Sequence, residues 1–227
     1  MKLNIVTIDG PSASGKGSLA RNIAKYLDFN ILDSGLLYRV YAYLYNTGLT
    51  HEEIPESIKQ DISFTFKDND VIVLYADEDI TSILRSENTA KHASQISALS
   101  ETRKNLLIVQ RNFYKDTGLV ADGRDMGTVV FPEAKLKIFL EASAEVRAER
   151  RYLELRNRGQ EVNMLHLIAD IEQRDLKDKT RTLSPLIPAE DSVVIDSSNM
   201  SLDEVLSFTK KLTKKEFNKW QNHLPLY

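Results

Sequence analysis

The sequence predicts an α/β fold: a five-stranded parallel sheet with flanking helices, interrupted by a small inserted β lobe. Three observations carry this. Ile5-Val6-Thr7-Ile8 is an apolar run that passes through a loop of small residues into Leu19, Ile23, Ala24 and Leu27, which reads as buried strand, turn and helix. Short apolar strands then keep alternating with helical stretches, the signature of a parallel sheet with crossover helices. One segment breaks the alternation. Ile62-Ser63-Phe64-Thr65-Phe66 and Val71-Ile72-Val73-Leu74-Tyr75 flank the turn residues Lys67-Asp68-Asn69-Asp70, so a hairpin is inserted there.

The first turn of the chain carries the chemistry. Gly10-Pro11-Ser12-Ala13-Ser14-Gly15-Lys16 has the spacing of a phosphate-binding loop between strand and helix. Small residues let backbone N–H groups curl around phosphate oxygens, the helix points its positive end inward, and Lys16 reaches the terminal phosphates. The usual motif places a hydroxyl directly after the lysine, where it meets Mg²⁺. Here Gly17 stands in that place and Ser18 follows it. The first helix is expected over Lys16 to about Asp28.

Phe29 to Leu32 makes the next strand, and Asp33-Ser34-Gly35 opens a helix with Leu36, Leu37, Val40 and Leu44 on its apolar side. Ligands of open α/β sheets bind at this strand–helix edge, although Asp33 or Ser34 can equally be a plain helix N-cap. Arg39 lies one turn on, placed either to pair with a phosphate or to face solvent. The inserted lobe is expected over about 50–84. Helical sequence resumes near Ile83 and runs to Tyr114 with a break around Leu99, carrying Ser94 and Arg103.

Gly118 to Asp122 is the third core strand, leading into Gly123-Arg124-Asp125-Met126-Gly127-Thr128. Asp122 can orient a Mg²⁺ shell. The two glycines let the Arg124–Asp125 backbone approach a ligand, or the two side chains simply pair across a tight turn. Lys135 to Leu140 is the fourth strand and Ser192 to Asp196 the fifth, with a last helix from about Ser201 to Asn218. Between them lies an arginine-dense helical segment with Arg147, Arg150, Arg151, Arg156 and Arg158, then Arg174, Asp178 and Arg181. Interleaved Glu145, Glu149 and Glu154 make part of it a solvated, salt-bridged face. Phosphoryl transfer, however, favours several arginines closing over the transferring group.

Composition sets the outer limits. A chain of 227 residues with 42% hydrophobic and 28% charged residues can bury one substantial core and is not a disordered sequence. The net charge of −3 argues against bulk binding to nucleic acid or anionic membranes. With no cysteine, disulfide frameworks and Cys-ligated zinc are excluded. The first apolar run is only a strand long, so it is not expected to be a signal peptide. No apolar stretch reaches membrane-spanning length, and a cytoplasmic protein is expected.

Four segments together resemble the bacterial cytidylate kinases of the P-loop nucleoside monophosphate kinase superfamily. They are Asp9 to Gly17, Leu32-Asp33-Ser34-Gly35-Leu36-Leu37-Tyr38-Arg39, Ala121 to Pro132, and Arg174-Asp175-x2-Asp178-x2-Arg181-x3-Pro185-Leu186. The resemblance implies a P-loop NTPase-type core in a single kinase domain spanning 1–227, with a short lid at about 147–162. It implies transfer of the ATP γ-phosphate to CMP or dCMP with Mg²⁺, by a monomeric enzyme. Carried onto matching positions, Gly10 through Ser18 bind ATP, and Ser18 meets the metal directly or through water. Ser34, Arg39, Ser94, Arg103, Arg124, Asp125, Arg174, Asp178 and Arg181 bind the acceptor.

Lys16, Arg39, Arg124 and Arg181 would act in catalysis, with Arg147 or Arg151 joining from the lid. The departures are mild: Ala13-Ser14 replaces a common Gly-Ala pair, Ser18 replaces threonine, and Lys177 and Lys179 stand where arginine is frequent. Direct in-line transfer is expected, without a covalent intermediate or a general base, since a phosphate monoester is mostly dianionic near neutral pH. Three alternatives stay open. They are a kinase for another monophosphate, a GTP-hydrolysing switch (which would want an Asn-Lys-x-Asp run) and a non-catalytic nucleotide-binding module.

Overall fold

The computed structural model describes residues 2–67, 70–157, 159 and 161–217. In chain order the first elements are β1 (Leu3–Asp9), α1 (Lys16–Leu27), β2 (Asn30–Asp33), α2 (Ser34–Asn46) and α3 (Ile54–Asp61). Next come β3 (Ile62–Lys67), β4 (Asp70–Tyr75), β5 (Glu78–Asp79), α4 (Thr81–Leu84), α5 (Glu87–Ile96) and α6 (Ser100–Arg111). The chain closes with β6 (Leu119–Gly123), a π-helical turn (Met126–Val130), β7 (Ala134–Glu141), α7 (Ala144–Asn157), α8 (Met164–Thr180), β8 (Val193–Asp196) and α9 (Leu202–Phe217). It divides into two compact units, residues 1–31 with 115–227, and residues 32–114.

The larger unit is built on a five-stranded sheet in the order β2-β6-β1-β7-β8. β1 pairs in parallel with β6 on one side and β7 on the other, and β7 pairs in parallel with β8. The central strand is buried from Ile5 to Asp9 because helices cover it. Ile8 and Val6 pack with Leu19, Ile23, Val120, Ile138, Leu140, Val205 and Phe217 in one buried cluster. All five expected core strands are present, each within two residues of its expected ends. Asn218, the expected end of the last helix, lies outside the described residues, as do Met1, the hairpin-turn residues Asp68 and Asn69, Arg158 and Gln160.

The smaller unit holds a three-stranded sheet, β3-β4-β5, with antiparallel pairing from Ile62 opposite Tyr75 to Lys67 opposite Asp70. Its helices supply two features that hydrophobic pattern did not announce. α3 precedes the hairpin, started by Pro55 in its first turn and buried through Ile54, Ser57 and Ile58; proline suits that position because its missing N–H would be unpaired there anyway. The stretch expected as a helix broken around Leu99 has that break, at Ser97–Leu99, and a further unexpected one at Arg85–Ser86, which makes three helices. Ser86 caps α5 by accepting from the Thr89 N–H.

Candidate active site

β1 delivers the chain to Gly10, where a Cβ would lie 2.0 Å from the Leu140 carbonyl oxygen on β7. No larger residue passes that point. Ala13 and Gly15 both adopt left-handed backbone, at φ 58° and 93°, and Gly15 is the N-cap of α1. Such conformations turn backbone N–H groups into an anion-binding concavity at a helix N-terminus. Lys16 folds over the loop, its Nζ donating to the Pro11 carbonyl at 3.1 Å. A Cβ at Gly17 would press to 3.1 Å from an Asp122 carboxylate oxygen. That crowding accounts for glycine at the usual hydroxyl position, with Ser18 one residue on. Ser18 Oγ accepts from Arg21 at 3.3 Å. The buried Ser14 hydroxyl has no hydrogen-bond partner among the described residues.

α7 lies against this loop. Arg147 is only 4% exposed. Its Nε donates to the Ala142 carbonyl at 2.9 Å, and its Nη1 to the Ser12 carbonyl at 3.3 Å. Both terminal nitrogens meet the Asp175 carboxylate. Arg150 donates to the Ser14 carbonyl at 2.9 Å and to the hydroxyl and carbonyl of Ser197. Desolvation holds its pKa below the usual guanidinium range. Arg151 donates to Glu154 at 2.8 Å.

α8 carries the second group of charges. Arg124 donates through Nε to Asp178 at 3.0 Å, and Arg181 Nη1 lies 3.8 Å from the other Asp178 oxygen. Arg181 also donates to the Ser184 carbonyl, and Arg174 Nη1 comes within 3.5 Å of Ser12 Oγ in the phosphate loop. Burial would raise the Asp178 carboxyl, but the positive charges of Arg124, Arg174 and Arg181 outweigh it and leave the pKa lowered. The tight-turn alternative, with Arg124 and Asp125 as partners, is therefore not the arrangement that holds Arg124.

Asp125 is 2% exposed and opens the π-helical turn, its carbonyl accepting from the Val130 N–H at 3.1 Å. Such i→i+5 turns are rare and often sit at functional sites. The turn is hung from the end of β1: both Asp9 oxygens accept at 2.8 Å, from the N–H groups of Met126 and Gly127. Burial raises the Asp9 carboxyl, the two N–H bonds pull it partly back, and nearby Asp125 and Asp122 add to the rise, leaving it at about 7.

In the smaller unit, Asp33 is the N-cap of α2, accepting from the Leu36 N–H at 2.9 Å; that alternative for the residue holds. Ser34 is buried and accepts from Gln110 at 2.8 Å. Arg39 donates to the Leu84 carbonyl at 2.8 Å and Arg103 to the Ser97 carbonyl at 3.1 Å. The Arg103 guanidinium also stands 5.7 Å from the centre of the Tyr38 ring. The Ser94 carbonyl accepts from Ser97.

A cavity of about 480 Å³ opens on the flank of the phosphate loop in the larger unit. Ser14, Gly15 and Ser18 form one wall, Arg150 and Arg151 another, and Met200 with Leu202 part of the apolar remainder.

The family model for cytidylate kinase matches residues 6–215. The chain belongs to the cytidylate kinase family. It is 46% identical over 209 residues to the cytidylate kinase of Stutzerimonas stutzeri (strain A1501), covering 89% of this chain and 91% of that one. It is 44% identical over 207 residues to the cytidylate kinase of Serratia proteamaculans (strain 568), with 89% and 90% covered. An uncharacterized protein from Eubacterium ventriosum ATCC 27560 shares the fold alone, at a TM-score of 0.50 and 10% identity over 95% of this chain and 99% of that one.

For a member of the cytidylate kinase family, the structure adds residues that sequence pattern did not single out. Asp9, Arg150, Asp175 and Ser197 all buttress the loop or its neighbours. Along the chain Asp9 and Asp175 stand inside the family-like segments and Arg150 inside the arginine cluster, none with a role of its own; Arg147 and Arg150 are three apart on a helix and so share a face. Most of their partners are backbone groups, which carry no residue-type signature. No described helix is long and apolar enough to cross a membrane.

Proposed function

We propose that the protein transfers the γ-phosphate of ATP to CMP or dCMP by direct in-line displacement, acting in the cytoplasm as a monomer. The observation that carries the reading is the placement of α8 beside the phosphate loop, with Arg174 reaching Ser12 and Arg124, Asp178 and Arg181 in one ion-paired group. The loop backbone from Gly10 to Ser18 and Lys16 hold the donor phosphates. The orphaned Ser14 hydroxyl supports this, because a buried polar atom without a partner is costly unless a ligand meets it. The flanking cavity suits the donor's base, since Leu19, Leu140, Met200, Leu202 and Val205 give it apolar surface beside polar walls.

Mg²⁺ fits the donor set. It takes one or two protein oxygens and otherwise phosphates and water, and among the described residues no cluster of three or more His, Asp or Glu side chains offers a closed cage. Ser18 and Asp122 would hold it, and when bound it neutralises charge on the phosphates. Arg39, Arg124 and Arg181 take the acceptor phosphate, letting one anion approach another. Asp178, held by Arg124, takes the sugar, as does Ser34. Arg103, with Ser94, suits the O2 and N3 acceptors of cytosine, and Asp125 suits its amino group. The segment at about 147–162 serves as the lid that excludes water, a rival nucleophile.

The test is a coupled ADP-release assay over a panel of nucleoside monophosphates. CMP and dCMP should turn over, whereas UMP, AMP and GMP should not. Equal use of UMP would overturn the base assignment, and ATP hydrolysis without an acceptor would overturn the kinase itself.

A further inference from the structure

Arg147 and Arg150 lie three residues apart on α7 and so point to one side of it. Each donates to a carbonyl of the phosphate loop, Arg147 to Ser12 and Arg150 to Ser14, at 3.3 and 2.9 Å. The two carbonyls are two residues apart in the chain. In a planar trans peptide the C=O and the N–H of the same unit point in opposite directions. Turning the Ser12 and Ser14 carbonyls toward α7 therefore turns the Ala13 and Gly15 N–H groups away from it. Ala13 and Gly15 are the two loop residues in left-handed backbone, the arrangement that makes an anion-binding concavity.

Arg147 has little capacity left for anything else. Its Nε is committed to Ala142, and both terminal nitrogens to Asp175, which spreads across them in the bidentate manner. A guanidinium 4% exposed and paired in this way would have to leave a buried carboxylate uncompensated in order to reach a transferring phosphate, a step that costs several-fold more than breaking a surface pair.

We propose that Arg147 and Arg150 are positioning residues that hold the peptide planes of the phosphate loop with their N–H groups inward, and that Asp175 locks Arg147 in that role. Neither arginine touches the transferring phosphate. The proposal rests on the loop being the donor-phosphate site, and it replaces the expectation that Arg147 joins the reacting phosphate from a lid.

The experiment measures ADP and adenosine binding by calorimetry on the full chain, together with steady-state kinetics, for Arg147→Met, Asp175→Asn, the double variant and Arg150→Met. ADP affinity should fall roughly ten-fold in Arg147→Met and by a similar factor in Asp175→Asn. The double variant should be no worse than either, because one interaction is removed twice. Arg147→Met should keep adenosine affinity, since Arg147 does not line the adjoining cavity, which separates the phosphate cradle from that cavity. Arg150→Met should lose ADP affinity as well, because the Ser14 carbonyl loses its donor. Arg147→Lys, able to donate to Ser12 but not to fork onto Asp175, should fall between wild type and Arg147→Met, and it keeps the test alive if the methionine variant does not fold.

The proposal is overturned if Arg147→Met loses turnover a hundred-fold with ADP binding intact while Asp175→Asn stays near wild type. It is equally overturned if both variants melt earlier yet bind ADP as wild type does. Because the readout is donor binding, a failure of CMP to act as acceptor would leave this result standing and sink only the proposed function.

Discussion

The two units hold their arginines in opposite ways. In the larger one, Arg147 and Arg124 are sunk against the Asp175 and Asp178 carboxylates, and Arg150 is spent on the carbonyls of Ser14 and Ser197. In the smaller one, Arg39 and Arg103 rest on carbonyls at helix C-terminal ends, Leu84 at the end of α4 and Ser97 at the C-cap of α5. A helix C-terminus offers partial negative charge without desolvating a carboxylate. Removing one member of a buried pair strands its partner and costs about 3–5 kcal/mol. In the larger unit Arg147 and Arg150 therefore spend charge on fixing the phosphate-loop backbone, whereas in the smaller one Arg39 and Arg103 each donate to a carbonyl at a helix end.

The comparison breaks most visibly at the base. If Arg103 and Asp125 read cytosine, UMP presents an N–H to the first and a carbonyl to the second, and two charged groups are mispaired at once. Discrimination of CMP over UMP should approach a factor of ~10⁴ in kcat/KM. Asp125→Ala should narrow that ratio by lowering CMP turnover, and an unmoved ratio would remove Asp125 from the base pocket.

A pH profile tests the larger unit alone. The Asp9 carboxyl is raised to about 7 in the folded protein from an ordinary 3.8, so the folded state binds the extra proton between those values. The stabilisation this supplies is full below pH 4 and is lost as pH rises through 7, to at most about 4 kcal/mol. Denaturant unfolding of wild type and Asp9→Asn at pH 4 to 8 should show wild type declining relative to the variant across that window. Parallel curves would mean that the two N–H bonds keep Asp9 ionised throughout.

Lys16→Ala should lower turnover with CMP by roughly 10²–10³, about 3 kcal/mol, the usual effect of losing one preorganised charge at a reacting phosphate. The melting temperature should barely move, because the Lys16 ammonium bonds to the Pro11 carbonyl of its own loop, five residues away. Near wild-type turnover would end the phosphate-loop mechanism.

Asp178→Ala separates the two uses of charge within one residue. If the carboxylate meets the sugar, CMP should lose more than dCMP, by a further factor of roughly ten in kcat/KM for one charged hydrogen bond. Equal losses would mean that Asp178 serves only to hold Arg124 and Arg181, as it does in the folded chain.

The smallest effect belongs to Ala13, an alanine in left-handed backbone at φ 58°. Ala13→Gly relieves about 1–2 kcal/mol of steric cost and gives back roughly 0.4–1 kcal/mol in unfolded-chain entropy. Stability measured by chemical unfolding should therefore rise by at most about 1.6 kcal/mol. A loss would show that the loop needs the methyl group.

The sequence by itself determined the alternation of strands and helices, the phosphate loop and the segments that carry the candidate arginines. Those follow from local spacing: apolar residues at period two or 3.6, glycines where a Cβ would collide, and a lysine at a set distance from them. α3 escaped because eight residues with only Ile54, Ser57 and Ile58 buried leave too little periodicity. Of the two breaks after the hairpin, the one at Ser97–Leu99 falls where it is expected, around Leu99, whereas the one at Arg85–Ser86 escaped because helices also tolerate those residues. What only the tertiary structure decided is which partner each charge takes. Arg147 looked like any lid arginine along the chain, yet it is paired with Asp175, 28 residues away, and bonded to Ser12, 135 residues away. Asp9 looked like the last residue of a strand and instead suspends the turn that opens at Asp125. A backbone carbonyl or N–H is present at almost every position, so no spacing of residue types marks the one a buried side chain will meet; packing alone selects it.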